Sequence, residues 1–275
     1  MSRSPRNAAV TALAVVAAGM AAMAAGCGTR TQVRWEAEQR MSGAVAPGAL
    51  LVFGDGGAPA VRAPVVPIRW PGDSTACPAA RAAVPGGGDT VVAAWWQPRP
   101  PKGSVLLVSR SPNGGVDWER AVEVGTSGTR AAPCDRPPPG VAATAGDATV
   151  VAFHGVLGDT AGIVIAAVRP GARRADGVRL VAPGGAARLA GVAVTGDTIA
   201  VAYESPAVAD GAVWLAIWVG PGQIPVVRER VSGADARARA PLVALHAGRL
   251  AVGWNEAARG SEGPAAVVRV GRLRR

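Results

Sequence analysis

The sequence predicts an all-β protein assembled from repeats, and three observations point to it. The composition is rich in turn formers and weakly charged, with 37 glycines, 23 prolines, 49% hydrophobic and only 17% charged residues in 275. That balance suits short strands and excludes a disordered chain. One phrase occurs four times, as Gly88-Asp89-Thr90-Val91-Val92-Ala93-Ala94-Trp95, Gly146-Asp147-Ala148-Thr149-Val150-Val151-Ala152-Phe153, Gly196-Asp197-Thr198-Ile199-Ala200-Val201-Ala202-Tyr203 and Gly248-Arg249-Leu250-Ala251-Val252-Gly253-Trp254, at glycine-to-glycine intervals of 58, 50 and 52 residues. Glycine supplies a positive-φ turn, and the β-branched run with its closing aromatic suits a strand buried on both faces. A second strand-like run follows each phrase, at residues 104–109, 162–168, 213–219 and 265–270. A period near 50 with several strands per unit is what the blades of a β-propeller require, because each blade buries both faces against its neighbours. The expectation is a β-propeller of four to five blades, or six, with a β-sandwich as the alternative.

From the N-terminus, residues 1–7 carry Arg3 and Arg6 and no acid, residues 8–25 are almost wholly small or apolar, and Ala24-Ala25-Gly26-Cys27 follows. This order of basic, apolar and small-residue regions is that of an export signal. It resembles a bacterial lipoprotein signal, which implies that Cys27 is lipidated, by diacylglyceryl and palmitate, and becomes the mature N-terminus. Ala24 departs from the leucine usual there. The rival readings are plain secretion or an uncleaved anchor, although a helix of mainly alanine and glycine inserts weakly. The expected organisation is a signal peptide over 1–26, a lipidated tether over 27–40 and a β-propeller domain over 41–275, on the outer face of a cell membrane. Ala49 to Gly54 reads as an earlier, degraded copy of the phrase. Cys77 and Cys134 lie 11 and 12 residues before Gly88 and Gly146, so equivalent positions of adjacent blades could join them in a disulfide; two buried free thiols are the alternative.

After the strand Val105-Leu106-Leu107-Val108 stands Ser111-Pro112-Asn113-Gly114-Gly115-Val116-Asp117-Trp118. Ser111 and Asn113 can bond backbone amides of a hairpin turn, Gly115 can take positive φ and Trp118 can cover the turn. The stretch resembles the Asp box, Ser-x-Asp-x-Gly-x-x-Trp, of sialidase-like and BNR-repeat propellers, with Asn113 in place of the aspartate. In that family the box is structural, so it implies a fold and no chemistry. Sialidases use a tyrosine nucleophile with a glutamate partner, an aspartate and three arginines. Here the one tyrosine, Tyr203, closes a phrase where its equivalents are Trp95, Phe153 and Trp254, and Glu204 next to it should point to the opposite face.

Candidate ligand residues are those that follow the closing aromatics, Trp96, His154, Glu204 and Asn255, three of them polar at the end of an apolar run; a strand simply becoming wet at its end is the other reading. No metal site, cofactor motif or hydrolase elbow is expected. The charge of +10 is carried by arginine except for Lys102, and no basic run is interleaved with aromatics. Anionic headgroups or envelope polymers therefore fit better than nucleic acid, and Arg269, Arg272, Arg274 and Arg275 read as a solvated end. The function expected is a membrane-anchored, non-catalytic binding or assembly module of the cell envelope, with a glycan, an anionic envelope polymer or an envelope protein as partner. A divergent sialidase-like glycoside hydrolase is the alternative.

Overall fold

The computed structural model describes residues 31–41, 43–46, 49–63, 69–71, 80–99, 103–127, 135–144, 148–186, 188–207, 211–257 and 263–274. Cys27, Cys77 and Cys134, with the lipidation and disulfide expected of them, lie outside the described residues.

The four phrases form the strands β6 (Val91–Pro98), β10 (Thr149–Leu157), β14 (Thr198–Glu204) and β18 (Arg249–Ala257). Each is an interior strand, and its run of Val, Ala and Ile is buried on both faces. The glycines that open the turns before them, Gly88, Gly196 and Gly248, have φ of 59°, 57° and 75°, the conformation that only glycine adopts without strain.

Around each phrase strand an antiparallel meander is built. The first unit runs β5 (Arg81–Pro85), β6, β7 (Ser104–Ser111) and β8 (Val122–Thr126). The second is β9 (Gly140–Ala143), β10, β11 (Thr160–Val168) and β12 (Asp176–Pro183), joined to the first by one pairing, Thr126 with Val156. The third is β13 (Ala190–Thr195), β14, β15 (Val213–Val219) and β16 (Val227–Arg230). The fourth is β17 (Arg237–His246), β18 and β19 (Ala265–Arg274), and its outer strand is β1 (Gln32–Trp35) from the other end of the chain. A short strand, β2 (Gln39–Met41), also pairs with β19.

Two sequence expectations are displaced. Gln32–Trp35 falls in the stretch expected to be a tether, yet it pairs with β19, because Val33 and Trp35 alternate onto the core between the third and fourth sheets. The degraded copy at 49–54 gives β3 (Leu50–Phe53), which is the first strand of a hairpin with β4 (Pro59–Arg62) and not the equivalent of a phrase strand.

The packing is radial and propeller-like. Apolar cores lie between the first and second sheets, the second and third, the third and fourth, and the fourth and the β3–β4 hairpin. Leu50 of β3 also packs on the core of the first two sheets. First strands touch in series: β5 meets β9, β9 meets β13, β13 meets β17, and β17 meets β3. Small residues permit this approach, since a Cβ at Gly140 would collide with the Ala190 carbonyl and one at Gly191 would lie 3.0 Å from the Pro241 oxygen.

Candidate functional site

The five first strands surround a cavity of about 1000 Å³, in the range of a small-molecule or saccharide site. Its walls are largely aliphatic, with Leu50, Val84, Ala142, Val192 and Ala244 among them. Polar residues gather at the end where the first strands begin: Asp135, Arg136, Arg188, Glu204, Arg239 and Asn255 all line it. Arg136 precedes β9, Arg188 precedes β13 and Arg239 lies near the start of β17, so three successive sheets each deliver one guanidinium to the same mouth.

The arginines differ in setting. Arg136 is 5% exposed, donates from Nη2 to the Ser127 oxygen at 3.1 Å and stacks 5.5 Å from the Trp96 ring. Burial lowers its pKa from the ordinary guanidinium value. Arg188 is half-buried and Arg239 exposed.

The residues following the closing aromatics share one structural task. Trp96 Nε1 donates to the Pro137 oxygen at 3.3 Å, and His154 Nε2 meets the Gly184 oxygen at 2.9 Å, so that nitrogen carries the hydrogen. Glu204 accepts the Ala240 amide at 2.9 Å, while Asn255 accepts the Val45 amide at 2.6 Å and donates to the Val45 oxygen at 2.9 Å. In every case the acceptor or donor is main chain at the start of the next sheet or in the connection leading to it. Trp96, His154 and Glu204 are buried and Asn255 is half-buried, so these positions are neither an open rim nor a wet strand end. Glu204 and Asn255 also border the cavity.

Burial opposes the charged form of both ionisable groups here. The Glu204 carboxyl is raised above the ordinary value by desolvation, against the opposing pull of the Ala240 amide, Arg188 and Arg239. His154 is lowered, first by desolvation and further by Arg136 and Arg188, although its bond to Gly184 opposes this. Burial thus opposes the charged form of each, while the neighbouring guanidinium groups draw Glu204 back toward its anion and push His154 further from its cation.

Tyr203 points the other way. It is 1% exposed in the core between the second and third sheets, and its hydroxyl accepts Arg228 Nε at 3.3 Å. Its phenol is raised above the ordinary value, chiefly by burial, so it is not an activated nucleophile.

The Asp-box turn joins β7 to β8. Ser111 Oγ accepts the Gly115 amide at 2.8 Å and that of Asn113 at 3.4 Å, and Asn113 Oδ1 accepts the Asp117 amide at 2.8 Å. Gly115 has φ of 90°. Trp118 Nε1 donates to the Arg69 oxygen at 2.7 Å. The side-chain amide also explains the departure from aspartate: Asn113 Nδ2 donates to Asp117 Oδ2 at 2.9 Å, a contact that a carboxylate would turn into repulsion.

Sequence reasoning missed the three mouth arginines, since a chain with 28 arginines offers no way to choose by composition. A positional signal existed, because Arg136, Arg188 and Arg239 stand eight to ten residues before Gly146, Gly196 and Gly248.

No family model and no curated protein matches the chain. Among solved structures it is similar to a protein of unknown function from Dyadobacter fermentans, at 12% identity and a TM-score of 0.50 over 70% of this chain and 53% of that one. It also aligns with the polysaccharide lyase Uly1 at 11% identity and a TM-score of 0.40, over 67% of this chain and 44% of that one. A third match, a xylan β-1,4-xylosidase from Bacillus halodurans, has 9% identity and a TM-score of 0.45 over 82% and 52%. The chain thus spans about half the length of the structures it resembles. At 12% identity the likeness to the Dyadobacter protein is one of fold alone.

Proposed function

We propose that this chain is a lipid-anchored envelope protein whose five-bladed, sialidase-like propeller binds an acidic glycan or anionic envelope polymer at the cavity mouth without turning it over. The five blades are the four meanders and the β3–β4 hairpin. One observation carries the ligand class: Arg136, Arg188 and Arg239, from three successive sheets, line one cavity mouth. Three guanidinium groups there face two carboxyls, Asp135 and Glu204, so arginine is in excess, and guanidinium forks match carboxylates and phosphates in geometry.

The second reading is glycoside hydrolysis, and it rests on Asp135 and Glu204 lining the same cavity. A raised glutamic acid is the form a general acid requires. The sialidase route is disfavoured by Tyr203, which sits in the core away from that cavity.

A saccharide-array screen of the full chain in detergent tests the reading. Acidic saccharides are expected to bind and neutral ones not, and R188A with R239A should weaken binding roughly 10- to 100-fold through lost charged hydrogen bonds. Binding confined to neutral sugars overturns the ligand class. Product release from a fluorogenic glycoside, abolished in E204Q, overturns the non-catalytic assignment. Palmitate incorporation that persists in C27S overturns the lipidated cysteine.

A further inference from the structure

At the end of the fourth sheet remote from the cavity mouth, four basic residues stand in one row across four strands. His246 pairs with Arg249, Arg249 with Arg272, and Arg272 with Arg34. Partners directly opposite in antiparallel strands share a face, with Cβ atoms about 5 Å apart, and like charges placed so repel. Arg274 extends the row, opposite Gln32.

Only the inner half of the row is satisfied by the fold. Arg249 donates to the Gly57 oxygen and lies 5.2 Å over the Phe53 ring, which is also 6.3 Å from the His246 ring. The apolar contact made by the β3–β4 hairpin ends at Val270. Beyond it Arg34, Arg272 and Arg274 are exposed. Among the described residues the ion pairs join Arg40 to Glu256, Arg99 to Glu123 and Arg169 to Asp176, and none reaches these three arginines. A fold that tolerates a row of unneutralised like charges gains from an external anion along it.

The row also includes β1, the first described strand. Cys27 precedes Gln32 by five residues, a span of at most about 18 Å. The cavity mouth is distant from it, because Asn255 lies six residue steps along β18 from Arg249, about 20 Å of extended strand.

We propose that Arg34, Arg272 and Arg274, with Arg249 behind them, form a docking face for the phosphodiester headgroups of anionic phospholipid, which turns the cavity mouth away from the bilayer. The short reach from Cys27 rests on the lipoprotein reading given above; the charge row does not. Guanidinium forks meet phosphodiester oxygens in pairs, and Arg34, Arg272 and Arg274 lie on one face at inter-strand and every-second-residue intervals.

Residue-resolved modification by phenylglyoxal, read by mass spectrometry on the full chain in vesicles, tests this. Phosphatidylcholine vesicles are compared with vesicles containing about 30% phosphatidylglycerol, which carry the negative surface that juxtamembrane basic residues sense. The anionic vesicles are expected to protect Arg34, Arg272 and Arg274 about tenfold and to leave Arg188 and Arg239 as reactive as before. Equal modification in both vesicle types overturns the proposal. So does protection of the row by soluble polyglycerol phosphate with none from the vesicles, which would assign it to a polymer.

A second measurement separates docking from folding. The variant R34Q/R272Q/R274Q should lose affinity for the anionic vesicles on the order of 100-fold, at about fivefold per arginine near such a surface, without a lower melting temperature. Unchanged affinity overturns the proposal. A silent saccharide screen alongside intact row protection would remove the ligand reading and leave this one standing.

Discussion

His154 and Glu204 occupy the same place in neighbouring sheets, one residue past the closing aromatic, and each reaches main chain that begins the next sheet. One is a base and the other an acid. His154 donates to a carbonyl, Glu204 accepts from an amide, Asn255 does both and Trp96 donates through its indole. The comparison separates position from chemistry. Position requires a side chain long enough to cross the gap, with one polar atom of the right sense; the residue is then chosen by whether a carbonyl or an amide stands opposite. The cost differs between them, since an ionisable group is pushed toward neutrality by burial and an amide or indole is not.

The sharpest way to break the equivalence is to remove the largest member. W96A deletes a residue 1% exposed that contacts Phe153 edge-on at 5.8 Å, and it should destabilise by about 3–5 kcal/mol in chemical denaturation. N255A should cost about 2 kcal/mol, because the Val45 amide and carbonyl lose both partners together. A smaller loss there than in W96A would show that the hydrogen bonds matter less than the packed ring.

The pair of opposite charge type predicts opposite pH responses. The Glu204 carboxyl is raised in the fold, so the stability it contributes is full below its ordinary 4.5 and is lost as pH rises through the folded value. His154 is lowered, so its contribution is full above its ordinary 6.5 and is lost as pH falls through the folded value. E204Q should flatten the loss of melting temperature as pH rises above 4.5 and H154Q the loss as pH falls below 6.5, each leaving the other unchanged. A shared change of both limbs would mean that the two sites titrate as one.

The smallest expected effect tests the turn. N113D sets a carboxylate against Asp117 and should cost roughly 0.5 kcal/mol, with recovery in the double variant carrying D117N. No change in N113D would mean that the solvent already screens the contact.

The interior phrase strands were legible because burial on both faces leaves an uninterrupted apolar run, and the Asp-box hairpin because its hydrogen bonds are local. First strands were not legible. Gly140-Val141-Ala142-Ala143 is short, small and half-buried, shaped by a close approach to Ala190 that local sequence does not encode. β1 was hidden for a related reason, since its partner lies at the far end of the chain. The special character of Trp96, His154, Glu204 and Asn255 was visible as a break in apolarity, but their partners, as much as 210 residues away, were not. Arg136, Arg188 and Arg239 were obscured by number.

The pairing of β1 with β19 has a consequence for the order of folding. The first described strand can find its place only when the last has been made, because Gln32 registers against Arg274. Val33 and Trp35 are made early and stay without the strand they register against until β19 follows. Pairing across nearly the whole chain is slow, since loop-closure entropy opposes it. Strand β1 thus stays unpaired until β19 has been made, and removing either strand should leave the other without its partner.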